Sequence, residues 1–185
     1  MPDFITLDAL VRDTATSQPT KTAIIDDASS LTYAEFDALI DRVAAALQAH
    51  GLKPQDVISI CAYSTIQYAA TFIGALRAGI AVAPLAPSST PADFAAMLRD
   101  CAPKILFMDG SAAELMGDAA RSFPKRVALD DSDFGQPFST WKYAFPAKPA
   151  PVAIDPEWVF NIIYSSGTTG TPKGIVHTHG MRWRQ

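Results

Sequence analysis

Phe4, Leu7, Leu10 and Val11 recur at helical spacing and predict a short amphipathic helix that closes near Gln18-Pro19. Thr22 to Asp26 reads as a strand. The polar turn Asp27-Ala28-Ser29-Ser30, followed by Leu31-Thr32, predicts its hairpin partner. Thr32 with Glu35 three residues on is a capping box, in which hydroxyl and carboxylate each satisfy an amide left open at a helix start. It opens a long helix with the stripe Phe36, Leu39, Ile40, Val43 and Leu47, stopped at Gly51. Asp56 to Ala62 is the next strand, Thr65 to Ala78 the next helix, and Gly79 its stop. Ile80 to Leu85 follows as a short buried strand. Thr90-Pro91 pairs a cap residue with proline at the first helical position, and this helix carries Phe94, Met97 and Leu98 on one face. Ile105 to Met108 is a strand, Ser111 to Arg121 a helix, and Arg126 to Leu129 another strand.

This alternation predicts an α/β fold, a largely parallel sheet with helices packed on it. From Asp130 to Pro156 the pattern lapses, with Pro137, Pro146, Pro149, Pro151 and Pro156 and with Phe134, Phe138, Trp141, Tyr143 and Phe145 scattered through it. A surface connection docked by its aromatics fits this better than a disordered linker. The expected organisation is strand–helix units over 1–130, a proline-rich connection over 131–156, and a final unit over 157–185.

In that final unit, Trp158 to Tyr164 reads as a buried strand and Gly174-Ile175-Val176 as a second apolar run. Between them the sequence is Y-S-S-G-T-T-G-T-P-K-G. Ser165, Ser166, Thr168, Thr169 and Thr171 supply hydroxyls, Gly167, Gly170 and Gly174 a pliable backbone, and Lys173 a cation. Such a backbone can turn several amides into one concavity, and hydroxyls and an ammonium add donors for an anion. A Ser/Gly linker is not expected between two strands only a few residues apart. The stretch reads as a phosphate loop. The spacing excludes G-x-x-x-x-G-K-[ST], because Gly174 follows Lys173, and no glycine triplet makes G-x-G-x-x-G.

Composition narrows the setting. The chain has 185 residues and a net charge of -4, and no basic patch supports nucleic-acid binding. After Glu157 there is no acidic residue, whereas Lys173, Arg182 and Arg184 remain, so the local field is expected to favour an anion. Cys61 and Cys101 lie far apart in apolar surroundings and read as buried reduced thiols, which suits the cytoplasm. Met1 to Asp8 has no basic or apolar leader pattern. Val57 to Leu76 carries no charge and has about the length of a membrane span. Its Ser59, Ser64, Thr65, Gln67 and Thr71, with a turn at Tyr63-Ser64-Thr65, make it a buried strand and helix instead, and the protein is expected to be soluble. His177 and His179 alternate on a strand and invite a metal or general-base role, but a Thr-His pair ending a strand before a helix is the plainer reading. Arg182 and Arg184 read as solvated helix residues rather than phosphate ligands. His50 closes a helix, where partial positive charge suits the dipole, and takes no chemistry.

The run Ser165 to Gly174 resembles the signature of the AMP-forming adenylating enzymes: acyl-CoA synthetases, aryl-CoA ligases, luciferases and peptide-synthetase adenylation domains. Leu31-Thr32-Tyr33-Ala34-Glu35-Phe36 is similar to the family's early L-T-Y-x-E-L segment. Leu76-Arg77-Ala78-Gly79 through Pro84-Leu85 is similar to its L-K-A-G-x-x-x-x-P-L segment. The resemblance implies part of the large N-terminal domain of an adenylate-forming enzyme. It implies that a small-molecule carboxylic acid attacks the α-phosphorus of ATP, and that the thiol of coenzyme A then takes the acyl group, with Mg2+ accompanying ATP. Ser165, Ser166, Gly167, Thr168, Thr169, Gly170, Thr171, Lys173 and Gly174 would bind the nucleotide's β- and γ-phosphates.

The resemblance also implies an adenine-gripping segment, a ribose-binding aspartate and a small C-terminal domain with a catalytic lysine, none of which has a position here. The chain is therefore expected to be an N-terminal fragment without that C-terminal domain, holding no catalytic residue and depending on the remainder of its own polypeptide. It is expected not to adenylate alone; ATP–pyrophosphate exchange by a chain of this length would overturn that. An adenylation domain loading a carrier protein and a non-catalytic ATP-binding module are the other readings. Micromolar ATP binding by the chain alone would favour the module.

Overall fold

The computed structural model describes residues 4–143, 147–165 and 172–185. Helix α1 (Leu7–Ser17) is capped by Thr6 and followed by the antiparallel hairpin β1 (Thr22–Ile25) and β2 (Ser30–Thr32). Helix α2 (Tyr33–Ala49) begins at the capping box: Thr32 accepts from the Glu35 amide, and the Glu35 carboxylate accepts from the Thr32 amide at 2.8 Å. Then come β3 (Val57–Cys61), α3 (Ile66–Arg77), β4 (Ala81–Pro84), α4 (Pro91–Cys101) and β5 (Ile105–Met108). Gly79 ends α3 at φ +72°, a left-handed conformation that costs glycine little.

Two sequence expectations are corrected here. The single helix over Ser111–Arg121 is two, α5 (Gly110–Met116) and α6 (Asp118–Arg121), because Gly117 between them leaves helical backbone at φ 53° and ψ -132°. Asp109 caps α5 through the Ala112 amide and so starts it a residue early. After β6 (Arg126–Ala128), the proline-rich stretch does more than connect. It adds β7 (Gln136–Pro137), paired in parallel with β6, and α7 (Phe138–Trp141). Phe134, Phe138 and Trp141 are buried, so the stretch is docked by aromatics as expected, whereas Tyr143 is exposed and Phe145 lies outside the described residues.

The chain ends with β8 (Val159–Ser165), β9 (Lys173–Thr178) and α8 (His179–Trp183). Among the described residues seven strands form one sheet in the order β7-β6-β5-β3-β4-β8-β9, parallel throughout except for the antiparallel β8–β9 pair. Side-chain alternation along the strands divides the core between the two faces. Ile58, Ile60, Ile105 and Phe107 join α2 and α3 residues such as Ile40, Val43 and Leu76. Cys61, Leu106 and Met108 join Phe94, Met97 and Leu98 of α4 and Ala112, Met116 and Ala120 of α5 and α6. Both faces are covered, which is why the central strands β3, β4 and β5 are apolar but for the buried Ser59 rather than alternating with polar residues. The uncharged run from Val57 to Leu76 becomes β3 and most of α3, and no helix among the described residues is long and apolar enough to cross a membrane.

Candidate functional site

Strand β8 runs parallel to β4, with Asn161 opposite Val82, so its carboxyl end opens on the edge where the parallel strands also end. In open α/β sheets that edge is where ligand crevices form. The loop leaves there. The β8–β9 ladder closes with Tyr164 opposite Gly174 and then Ser165 opposite Lys173, so a hydroxyl and an ammonium side chain belong to the last pair before the loop. Ser165, Lys173 and Gly174 are exposed. The other residues expected to bind phosphate, Ser166, Gly167, Thr168, Thr169, Gly170 and Thr171, lie outside the described residues.

The cationic surroundings expected from the sequence are reduced by the fold. Helix α8 packs at the amino end of β8, where the His179 amide donates to the Trp158 carbonyl at 3.0 Å. Arg182 bonds Gln185 at 2.9 Å and lies 5.8 Å over the Phe160 ring. A strand of this length separates the two ends by about 20 Å. Arg182 and Arg184 are therefore not brought to the loop, and Lys173 is the cation of that set that is. An acid does reach the loop's base: Asp100 of α4 accepts a hydrogen bond from Tyr164 Oη at 2.5 Å. Sequence proximity missed it because 64 residues separate the pair.

The two histidines fall on different elements. His177 in β9 pairs its Nδ1 with Oδ1 of its cross-strand partner Asn161 at 3.1 Å. His179 opens α8, is 3% exposed, and meets the Phe160 ring edge-on at 5.2 Å. Burial pushes its pKa below the ordinary value, only partly opposed by the charge of Asp8. Among the described residues no group of three or more His, Cys, Asp or Glu could hold a metal ion. Both cysteines are free and buried; burial, with the Asp109 charge, raises the Cys61 pKa to about 12, and burial also raises that of Cys101. Neither thiol supplies a thiolate near neutral pH. His50 also departs from expectation. It stacks on Trp141 at 5.6 Å, and burial, then the Lys125 charge, lower its pKa, so the positive form is disfavoured at that helix end.

A buried ionic cluster was not visible in the sequence. Arg77, 6% exposed, donates to Asp41 Oδ1 at 2.8 Å and Asp37 Oδ1 at 2.6 Å, and its Nε lies 3.5 Å from Asp8 Oδ2. Arg12 pairs with Asp41 and, at 3.4 Å, with Asp37. The only local signal was Asp37 and Asp41 one turn apart on α2. Arg77 ends α3 just before β4 begins, so the cluster ties α1, α2 and α3 together at the sheet edge opposite the loop. An apolar cleft of about 410 Å³, walled by Leu10, Phe72, Phe160 and Trp183, also lies at the amino end of β8.

Residues 11–183 match the family described as AMP-binding enzyme. The chain is 34% identical over 171 residues to a 3-hydroxybenzoate–CoA ligase of Aromatoleum sp. (strain CIB), covering 85% of this chain and 31% of the relative. It is 32% identical over 183 residues to an L-proline–[L-prolyl-carrier protein] ligase of Streptomyces coelicolor, covering 92% and 34%. A benzoate CoA ligase from Burkholderia xenovorans LB400 superposes with a TM-score of 0.82 at 27% identity, over 95% of this chain and 35% of that one. The chain thus spans about a third of the length of these two curated relatives.

Proposed function

Because the chain belongs to the AMP-binding enzyme family over residues 11–183, we propose that the loop between β8 and β9 holds the pyrophosphate end of ATP in the activation of a carboxylic acid. The observation that carries this reading is the loop's place. It leaves the carboxyl edge of a parallel sheet, with Ser165 and Lys173 facing each other at its mouth. In the first half-reaction a carboxylate oxygen bonds to the α-phosphorus, and the bond to the bridging oxygen of pyrophosphate breaks. Negative charge then gathers on the leaving pyrophosphate. Amide and hydroxyl donors of Ser165, Ser166, Gly167, Thr168, Thr169, Gly170, Thr171 and Gly174, with the ammonium of Lys173, would stabilise that charge, and such preorganised donors are where catalysis of this kind comes from. Mg2+ fits as an ion carried in by the nucleotide, since it binds chiefly through phosphate oxygens and water and needs few protein ligands.

In the second half-reaction a thiol takes the acyl group and AMP leaves. We place coenzyme A first as that thiol, because aromatic CoA ligases stand among both the relatives and the structural neighbours. Similarity to a carrier-protein ligase at 32% identity supports the carrier phosphopantetheine thiol as the second reading. Two buried free cysteines suit a cytoplasmic enzyme.

The test is ATP–pyrophosphate exchange by the natural gene product with a panel of aromatic, short-chain and long-chain acids and amino acids. Acid-dependent exchange is expected, and Lys173→Ala is expected to lower its kcat/KM about 10- to 100-fold, the range of a charge-assisted hydrogen bond. ATP binding with no exchange for any acid would refute the enzyme reading in favour of a nucleotide-binding module.

A further inference from the structure

The last turn of α4 grips both strands that carry the loop. Tyr164 Oη donates to Asp100 Oδ2 at 2.5 Å and lies 3.3 Å from the Met97 carbonyl oxygen. The same carboxylate sits against Gly174, the cross-strand partner of Tyr164: a Cβ built at Gly174 would lie 3.2 Å from Asp100 Oδ2, 3.2 Å from Tyr164 Cε1 and 3.0 Å from Ile162 Cγ2. One helix residue therefore meets both strands at the Tyr164–Gly174 pair, one step below the pair from which the loop departs. The adjacent Cys101 interacts with Tyr164 as well, and its Sγ also lies 3.4 Å from Ser59 Oγ on β3. Since β4 lies between β3 and β8, the Asp100-Cys101 step straddles a strand and fixes the helix end to its neighbours on both sides.

Helix physics alone gives no reason for a carboxylate here. Asp100 stands in the last turn of α4, at the negative end of the helix dipole, where an acid is disfavoured. A donor from outside the helix offsets that cost, and the Tyr164 hydroxyl is one. Burial, then the Asp100 contact, hold the Tyr164 pKa far above its ordinary value, so the phenol keeps its proton to donate. Gly174 gains a packing role as well, because a Cβ there would press on Ile162, the carboxylate and the ring, each of which would have to give by a few tenths of an ångström.

We propose that Asp100 and Tyr164 form a positioning latch that holds the β8–β9 hairpin in register at the base of the loop, with Gly174 as the gap into which the latch closes. The latch itself is independent of what the loop binds; its effect on nucleotide rests on the ATP reading above. Hydrogen–deuterium exchange of the natural protein without nucleotide reads the latch directly. Tyr164→Phe and Asp100→Ala are expected to speed exchange in β8 and β9 about fivefold to tenfold, the range of one hydrogen bond, with β3 and β5 unchanged. Asp100→Asn keeps an acceptor and is expected to stay within about twofold of the parent. Unaltered hairpin rates in Tyr164→Phe, or an equal rise over the whole sheet, would overturn the latch. In pyrophosphate exchange, Tyr164→Phe is expected to raise the KM for ATP about fivefold while kcat stays within about twofold, the pattern of lost positioning in the bound state. A loosened hairpin with unchanged KM for ATP would overturn the link between latch and nucleotide. A parent protein silent in exchange would count against the ATP reading alone, and the deuterium result would still decide the latch.

Discussion

Replacing Trp141 by alanine measures whether the proline-rich stretch is a connection or a part of the core. Trp141 is 1% exposed. Its ring meets Phe107 edge-on at 5.1 Å, stacks with His50 at 5.6 Å and lies 6.1 Å from Phe138. Phe107 belongs to β5, next to the centre of the sheet, so the side chain closes one end of the larger core cluster. Truncating a buried aromatic of this size costs about 3–5 kcal/mol through lost transfer energy and the cavity left behind. Substitutions in a surface connection stay within about 0.5 kcal/mol. Urea unfolding followed by far-UV circular dichroism separates the two, since the midpoint moves while the slope is retained. Tyr143→Ala is the internal control: that ring is 59% exposed and lies 4.7 Å under the Arg42 guanidinium. Its loss is expected to cost no more than about 1 kcal/mol, the worth of an exposed cation–π contact. A cost below about 1 kcal/mol for Trp141→Ala would refute the reasoning, because no well-packed site loses an indole so cheaply.

Two further outcomes follow from buried charge. Arg77→Met is expected to destabilise the protein by about 3–5 kcal/mol, since it removes the ion pair of Asp8 and leaves Asp37 and Asp41 to the half-exposed Arg12 at the amino edge of the sheet. Arg12→Ala, whose side chain is 48% exposed, is expected to cost about 1 kcal/mol or less by the same unfolding assay. His50 and His179 both have pKa values below the ordinary 6.5, chiefly through burial. The unfolded chain then binds protons in a range where the folded chain does not, so stability is full above about pH 6.5 and falls as the pH drops below it. Thermal midpoints between pH 7.5 and 5.5 are expected to decline on acidification, and less so in His179→Phe, which keeps the ring contact with Phe160; a slope unchanged by that substitution would show that His179 contributes nothing to it.

Local chemistry carried most of the fold into the sequence. The Thr32–Glu35 box, the Thr90-Pro91 start and the Gly79 stop act within one turn of chain, and their elements stand where the pattern puts them. The break at Gly117 was less legible, since a glycine inside an apolar-periodic stretch costs only about 1 kcal/mol and often leaves a helix intact. The edge strand β7 was illegible because it is two residues long and exists only through pairing with β6. At the loop, composition drew attention to Arg182 and Arg184 because they are near in sequence, whereas α8 carries them to the far end of β8.

What the sequence determined by itself, then, was the parallel α/β plan and the loop with its hydroxyls, glycines and lysine, because caps, periodicity and turn chemistry are properties of neighbouring residues. Tertiary structure alone decided which distant groups meet: Asp100 against Tyr164 and Gly174, Asp8, Asp37 and Asp41 around Arg77, and Trp141 against Phe107. Those contacts depend on strand order and on which helix covers which face, and no local pattern encodes a partner 64 residues away.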